Sequence, residues 1–160
     1  MTQRLETGAT LLSAPTAIFD RTAAGHVFPP VEIRVDERAI RFFAETLGFP
    51  DTAEGAQEAP PTFFTFIDAE ADKLRKRRGE RTILEVLRAD YRYLLHGEES
   101  YELVGPILPD DRLVVRSRIT DFFDKAGGTL EFARVEQMAE EASRGLLVRA
   151  VRLYIHKLAP

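Results

Sequence analysis

Hydrophobic and polar residues alternate at positions 31–35, and the spacing of the hydrophobic residues then changes to steps of three and four. The alternation predicts a short, half-buried strand. Asp36 carries a side-chain oxygen that can cap a helix, which we predict to run from Glu37 to Leu47 and to end at Gly48. The apolar residues of this helix fall on one face, as expected for a helix packed against a core. They are Ile40, Phe43, Ala44 and Leu47.

A second helix is predicted to begin at Pro60-Pro61-Thr62-Phe63-Phe64, after a polar loop over residues 48–59. The prolines fix the entry, and Thr62 can cap the first turn. Aromatic residues surround that turn, so we expect the start of the helix to be buried. The far end is basic from Lys73 to Arg78 and should emerge into water, with its cations near the negative end of the helix dipole.

The C-terminal part of the chain alternates with period two and predicts three or four antiparallel strands joined by turns. The paired glycines at 127 and 128 favour a hairpin. Because nothing else in the chain is apolar enough to cover the second helix, we expect the sheet to wrap it, which is an α+β fold. The predicted strands cover residues 99–104, 113–120, 129–139 and 146–157.

Length and composition favour one globular domain. The chain has 160 residues, of which 44% are hydrophobic and 30% are charged, enough for a single packed core. We therefore expect one domain over residues 1–160, with residues 1–25 as a peripheral arm because their pattern is weak.

Several classes of function are excluded by composition. The chain has no cysteine, which rules out disulfides, thiolate metal sites and a cysteine nucleophile. A net charge of −4 gives no general attraction to nucleic acid, and no apolar run is long enough to span a membrane, so we expect a cytoplasmic protein. The three histidines are far apart and no glycine-rich phosphate loop is present, so we expect no metal and no other cofactor.

Three sequence elements resemble the MaoC-like dehydratases, in particular their N-terminal-type (FAS1-like) dehydratase domain. These elements are Ala59-Pro60-Pro61-Thr62-Phe63, His96-Gly97-Glu98-Glu99 and the stretch from Gly105 to Asp111, within a match from about Phe28 to Lys157. The resemblance implies a hot-dog fold, in which a curled antiparallel sheet wraps a central helix. It also implies dimers that enclose an acyl-thioester tunnel, and a role as accessory subunit of (3R)-hydroxyacyl-ACP dehydratases.

One feature departs from the active members of that family. Their acid–base pair is an Asp followed by Asn-Pro, an aliphatic residue and His, directly after the first helix. Here the corresponding loop contains Asp51, but the chain has no histidine between residues 27 and 95. The pairs Asp20 with His26 and Asp90 with His96 miss this spacing by one position and lack Asn-Pro, so we assign no catalytic residue.

The best candidates for substrate binding lie at the start of the second helix. Free amides and the positive dipole end at Thr62 can polarise a thioester carbonyl, although simple capping explains the same residue. Pro61, Phe63 and Phe64 can shape an acyl pocket, although aromatic residues at helical spacing are also ordinary core. His96 belongs to the His-Gly-Glu element of the resemblance and can serve structure or binding.

The other histidines and the basic run have plainer interpretations. His26 and His156 are expected to be exposed, without a role. Arg75, Lys76, Arg77 and Arg78 can contact the phosphates of coenzyme A or the acidic surface of an acyl carrier protein. A solvated helix end explains the same run.

The resemblance and the missing histidine together predict a subunit that acts on acyl-CoA or acyl-ACP thioesters without supplying the Asp–His pair. It would form a homodimer, or a heterodimer with a catalytic MaoC-like chain. Two alternatives stay open: a self-sufficient hydratase or thioesterase in which Asp51, Glu54 or Glu58 activates water, and a binder of acyl thioesters without turnover.

Overall fold

The computed structural model describes residues 17–49 and 58–158. Its helices are α1 (Glu37–Thr46), α2 (Phe64–Arg77) and α3 (Ile83–Val86), and a 3-10 turn at Pro61–Phe63 leads directly into α2. Its strands are β1 (Val31–Arg34), β2 (Leu94–Leu103), β3 (Arg112–Lys125), β4 (Leu130–Glu141) and β5 (Gly145–Lys157). None of the described helices is both long and apolar enough to cross a membrane.

The five strands form one antiparallel sheet in the order β1-β3-β4-β5-β2. The short strand and the first helix lie where the pattern predicts them, and Asp36 accepts a hydrogen bond from the Arg38 amide as the predicted cap. Strand β2 begins at Leu94 rather than at residue 99, because a bulge between His96 and Glu99 interrupts the alternation.

The sheet curls around α2, which confirms the predicted α+β arrangement of a sheet wrapping a central helix. Strand β1 packs along α2, and the side chains of the other four strands reach it through polar contacts. These contacts join Arg75 to Ser117 of β3, Asp68 to Gln137 of β4 and Arg152 of β5, and Thr65 to Tyr101 of β2.

Two hydrophobic clusters fill the concave side of the sheet. The first surrounds α2 and contains Phe63, Phe64, Ile67 and Ala71, all buried. The second lies under α3 and contains Ile83, Val86 and Leu87 together with Phe19 and Phe28. Each large apolar side chain that leaves water in this way contributes about 1.5–3 kcal/mol.

Helix α3 was not predicted from the hydrophobic pattern. It has a single turn, which is too short for a repeat of apolar positions to be recognised. A capping box defines it: Thr82 accepts from the Glu85 amide, and the Glu85 carboxylate accepts from the Thr82 amide. The Thr-x-x-Glu spacing was the available sequence signal.

Residues 17–25, the described portion of the predicted peripheral arm, contact the rest of the structure through Phe19 and through backbone hydrogen bonds. Phe19 is buried and stacks on the His156 ring, with the ring centroids 3.8 Å apart. The Gly25 amide donates to the Ile119 carbonyl at 2.9 Å, and the Phe28 amide donates to Ser117 at 3.0 Å. These bonds, with an isolated bridge between Val27 and Arg118, attach the end of the segment to β3.

Candidate functional site

A mainly apolar cleft of about 310 Å³ opens where the 3-10 turn before α2 meets the end of β2. Two walls form it, one from the chain entering the helix and one from the turn that follows β2. The first wall consists of Glu58, Ala59, Pro60 and Pro61; the second consists of Leu103, Val104, Gly105, Pro106 and Ile107, with Val148 at the base. Such a cleft suits an apolar ligand segment.

Backbone hydrogen bonds hold the two walls together. The Ala59 amide donates to the Ile107 carbonyl at 2.8 Å, and the amides of Val104 and Gly105 both donate to the Leu147 carbonyl. A Cβ atom at Gly105 would lie 3.1 Å from the Leu147 side chain, so glycine lets the turn lie close to β5. Backbone hydrogen bonds therefore fix the position of both walls.

Of the predicted binding residues, Pro61 lines the cleft. Thr62 is exposed within the 3-10 turn, and neither that turn nor α2 has a side-chain cap, so the prediction that Thr62 caps the helix is wrong. The 3-10 turn continues directly into α2, which places Thr62 inside the helical segment rather than before it. Because Pro60 and Pro61 have no N–H group, Thr62 supplies the first amide donor of this segment.

Phe63 and Phe64 are completely buried and belong to the core. Phe63 contacts Phe43 of α1 edge to face and stacks on Phe66, and Phe64 meets Tyr101 edge to face. These contacts fix the start of α2 against α1 and β2. A direct contact of either ring with a ligand stays a prediction.

A row of polar side chains follows the seam between α2 and β2, starting one turn beyond the cleft. The hydroxyls of Thr65 and Tyr101 lie 2.7 Å apart. One turn further, the Arg152 guanidinium lies between Asp68 and Glu99, donating to both carboxylates. Burial, with the Glu99 carboxylate close by, raises the pKa of Tyr101 to about 12, so this hydroxyl stays protonated.

The polar row continues into the interior beneath α2. Gln137 donates to Asp68 and, at 3.3 Å, to Ser117, which also accepts from Arg75 at 3.1 Å. Burial opposes the charged form of Arg152, but Asp68, Tyr154 and Glu99 together outweigh it, and the pKa of Arg152 is raised. Arg152 therefore stays charged, and it is the cation of a buried cluster with Asp68 and Glu99.

Arg75 was predicted to contact a phosphate or a carrier protein at the surface, and its burial shows that this prediction is wrong. Its guanidinium is completely buried, bonded to Asp72 at 2.9 Å and lying over the Phe28 ring, so it is not available to a phosphate on the surface. Helical spacing turns this one residue of the basic run toward the sheet. Lys76, Arg77 and Arg78 are exposed, as the interpretation as a surface patch requires.

His96 lies on the exposed edge of the sheet. Its Nε2 atom is 3.6 Å from a carboxylate oxygen of Glu99, whose other oxygen accepts from Arg152. Six residues of β2 separate His96 from Leu103 at the cleft, which is about 20 Å of strand. His96 and the cleft are therefore separate features in this chain.

His156 is completely buried, so the prediction that it is exposed is wrong; His26 is exposed, as predicted. The ring of His156 points to the concave side of β5, where the segment around Phe19 covers it. Its Nε2 accepts from the Asp90 amide at 3.0 Å, which leaves Nδ1–H to donate to Glu131 at 3.3 Å. Burial lowers the pKa of His156, partly opposed by Glu131, and favours this neutral form.

The carboxylates proposed for water activation divide into two groups. Glu58 lines the cleft. Asp51 and Glu54 lie outside the described residues.

Sequence reasoning did not identify the buried polar cluster formed by Asp68, Glu99, Gln137 and Arg152. The available signal was that Glu99, Gln137 and Arg152 are polar residues at strand positions where the alternation predicts a side chain facing the core.

Comparison with known proteins agrees with this geometry. The model of the family described as FAS1-like, dehydratase domain region, matches residues 22–149. A UPF0336 protein of Streptomyces avermitilis is 27% identical over 146 residues, covering 84% of this chain and 93% of the relative. A UPF0336 protein of Streptomyces griseus is 32% identical over 125 residues, covering 69% of this chain and 78% of the relative.

Solved structures with the same fold include two named dehydratases. The HadBC (3R-hydroxyacyl-ACP dehydratase) complex of Mycobacterium tuberculosis matches with a TM-score of 0.62 at 17% identity, covering 83% of this chain and 96% of that chain. The MaoC-like dehydratase of Rhodospirillum rubrum matches with a TM-score of 0.58 at 13% identity, covering 90% and 99%. The predicted hot-dog fold and the resemblance to MaoC-like dehydratases are confirmed.

Proposed function

Because the chain belongs to the FAS1-like dehydratase domain region family, we propose that it is a subunit of an (R)-specific 3-hydroxyacyl-thioester dehydratase. The reaction is the reversible hydration of a trans-2-enoyl thioester. In this proposal a separate MaoC-like chain supplies the Asp and His that move the proton, and this chain supplies apolar walls to the acyl site. The HadBC complex, built from two kinds of chain, is the precedent among structures of the same fold.

The observation that carries the proposal is the chemistry of the cleft. Among the described residues that line it, Glu58 is the one ionisable group and none is a histidine. The three histidines of the chain lie elsewhere, one buried behind Phe19 and two exposed away from the cleft lining. A general acid–base pair has to lie within hydrogen-bond reach of its substrate. The cleft can therefore hold an acyl chain, but needs a second chain for the chemistry.

Edge strand β2 is the surface that suits such a partner. β2 is the last strand at one edge of the sheet, so among the described residues no strand pairs with its outer side. Leu95 and Leu103 on it are about half exposed, at 46% and 50%. A long, exposed edge strand with apolar residues readily pairs with another chain. The cleft lies at the end of β2, so a partner paired along this strand would reach it.

The exposed basic residues at the end of α2 support a role in binding the carrier. Lys76, Arg77 and Arg78 lie on the surface, about 20 Å along the helix from its start. In this proposal they attract the acidic surface of an acyl carrier protein or the phosphates of coenzyme A. Arg77→Glu should raise the KM for the preferred carrier form of the substrate several-fold. Arg38→Glu, the same charge change on exposed α1, should not.

The decisive experiment expresses this chain with a hot-dog chain that keeps an intact Asp-x-Asn-Pro-x-His, beginning with any such chain encoded next to it. Hydration of trans-2-enoyl-coenzyme A substrates of increasing length is then measured for each chain alone and for the pair. Activity that requires both chains supports the proposal. Full activity of this chain alone contradicts it.

A pair of matched variants tests whether the cleft holds the acyl chain. Val104→Trp fills the cleft from an exposed position, and Val27→Trp makes the same change at an exposed position outside the cleft. The first should lower activity of the pair on long substrates more than on short ones, and the second should leave the length profile unchanged. Equal effects of the two variants would contradict an acyl site at this cleft.

A second candidate function rests on Glu58. A carboxylate at the edge of an apolar cleft can activate water for hydrolysis of a thioester, as in a self-sufficient thioesterase. Release of free thiol from acyl-coenzyme A by the purified chain, abolished in Glu58→Gln, would favour this function. Binding of acyl-coenzyme A without turnover, alone or with any partner, would instead indicate a binding protein.

A further inference from the structure

Edge strand β2 carries one more residue than the strand it pairs with. His96 lies opposite Tyr154, and Glu99 lies opposite Arg152. From the first pair to the second, β2 advances three residues while β5 advances two. The extra residue is a bulge at positions 97 and 98, and it sets the register of everything that follows in β2.

Gly97 makes this bulge possible. A Cβ atom at this position would lie 2.6 Å from the Leu153 carbonyl oxygen and 2.6 Å from the Ile155 side chain. Real side chains do not approach a backbone oxygen so closely, so the bulge requires glycine here. Gly97 permits the register, but it does not by itself select it.

Glu99 is the first paired residue after the bulge, and it is held from inside the protein. Its carboxylate accepts from Arg152 at 2.9 Å, and Arg152 in turn donates to Asp68 of α2. All three side chains are at least 88% buried. A buried charge cluster of this kind adds little net stability compared with apolar packing, but it can specify one arrangement over others.

A competing arrangement exists in the sequence. If β2 lost its bulge and slipped by one residue, Glu98 would lie opposite Arg152, and Ser100 would lie opposite Ala150 instead of Val151. Because side chains alternate between faces, the slip would turn Tyr101 outward and Glu102 toward α2. The consecutive residues Glu98 and Glu99 offer Arg152 a carboxylate in both registers.

We propose that Asp68, Arg152 and Glu99 form a register lock for the edge strand β2. The lock keeps Tyr101 against Phe64 and Thr65, where the native register places it. It also keeps Leu103 at the wall of the cleft and turns Ser100 outward. These three residues are positioning residues: they decide which face β2 shows to the cleft and to any chain that pairs with its edge.

Disulfide trapping tests the lock directly, because the chain has no cysteine of its own. The pair S100C/V151C reports the native register, and the pair S100C/A150C reports the slipped one, since each joins residues directly opposite in that register. Each pair is placed in the otherwise natural chain and in chains carrying Glu99→Gln or Glu98→Gln. The isolated chain is oxidised, and the cross-linked fraction is measured.

Glu99→Gln should raise the cross-linked fraction of the slipped pair at least tenfold, because of the two glutamates of β2 only Glu98 then offers Arg152 a full charge. Glu98→Gln is the matched control and should leave only the native cross-link. The double variant should lose most of the slipped product, since neither register then places a charged residue of β2 opposite Arg152. Gly97→Ala provides a second route, because it removes the space for the bulge and should also favour the slipped pair.

Equal trapping patterns in Glu99→Gln and Glu98→Gln would overturn the proposal, as would an unchanged native pattern in Glu99→Gln. Loss of both cross-links in a protein that still folds would also overturn it, because β2 would then detach rather than slip. A variant that does not fold leaves Gly97→Ala to decide. The assay uses the isolated chain and no substrate, so its result is independent of the proposed function.

Discussion

Asp68 and Glu131 are two buried carboxylates whose partners differ in kind. Asp68 lies on the side of α2 that faces the sheet and is bound by Arg152, whose guanidinium is not deprotonated in proteins. Glu131 lies behind the N-terminal segment and accepts from the amides of Ile18 and Phe19 at 2.8 and 3.0 Å.

Glu131 also accepts from the imidazole of His156 and from Arg21, whose side chain is partly exposed and shared with Asp124. The Asp68 site is therefore a fixed ion cluster that ties the helix to the sheet. The Glu131 site, which we call the latch, holds the segment with Ile18, Phe19 and Arg21 against the sheet. Its charge depends on pH through His156. The two sites should respond differently to mutation and to acid.

The largest effect is expected at the fixed cluster. Arg152→Met keeps the bulk of the side chain but leaves Asp68 and Glu99 without their cation inside the protein. Breaking a buried ion pair by removing one partner costs about 3–5 kcal/mol. Urea unfolding monitored by circular dichroism should show a loss of this size with an unchanged slope. A loss below about 1 kcal/mol would mean that the cluster is solvated rather than buried.

A smaller loss is expected at the latch. In Glu131→Gln, an NH2 group replaces one carboxylate oxygen. That NH2 group then faces the Phe19 amide and the N–H group of His156, which are also donors, so their hydrogen bonds are lost. Unsatisfied buried groups of this kind cost about 1–3 kcal/mol. Amide exchange measured by NMR should accelerate at Ile18 and Phe19 but not in α2. Uniform acceleration throughout the chain would show that Glu131 supports the whole fold rather than one segment.

Acid should weaken the latch by a further, smaller amount. Burial lowers the pKa of His156, so as pH falls from neutral the unfolded chain takes up this proton before the folded chain does. Stability contributed by the neutral ring is therefore present above the ordinary histidine pKa and is lost as pH falls below it. The effect stays limited because the Nδ1–H bond to Glu131 survives protonation.

The pH dependence is measured as the urea midpoint between about pH 7.5 and about pH 5.5. His156→Gln removes the titrating ring while keeping one donor and one acceptor, so its midpoint should change less with pH over this range. An identical dependence in both proteins would assign the acid sensitivity to other groups.

The smallest effect is expected where an ion pair faces solvent. Arg118 and Glu136 lie 3.0 Å apart on the outer face of the sheet, and both side chains are about half exposed. Arg118→Ala should cost no more than about 1 kcal/mol, because water screens such pairs. The loss is measured by the same urea unfolding experiment, and Arg118→Ala is the reference with which the loss in Arg152→Met is compared. A comparable loss in the two variants would remove the distinction between buried and exposed pairs.

Much of the fold was predictable because it rests on local patterns. The alternation at 31–35, the Asp36 cap and the paired glycines at 127 and 128 act over a few residues, and the structure contains the predicted strand, cap and hairpin. The bulge in β2 was not predictable from alternation, because an extra residue shifts the pattern by one position. Its cause, the contact of Gly97 with β5, joins residues distant in the chain.

The site was predictable only in part. Proline and apolar residues before α2 marked one wall of the cleft, but the second wall comes from the turn after β2, and packing alone brings the two together. Arg75 and Arg77 illustrate the limit: both belong to one basic run, yet the first is buried and the second is exposed. The position of each residue around the axis of α2 decides this, because successive side chains point in different directions from a helix. Which side of α2 faces the sheet is set by tertiary packing.

The sequence by itself determined the class of fold, the family resemblance and the lack of a histidine between residues 27 and 95. Those properties depend on residue identity and on spacing along the chain. Only the tertiary structure decided that His156 is buried against Glu131 and that Asp68, Arg152 and Glu99 meet beneath α2. The physical reason is that burial and charge pairing are set by residues far apart in sequence, which the chain brings into contact only when the sheet closes around the helix.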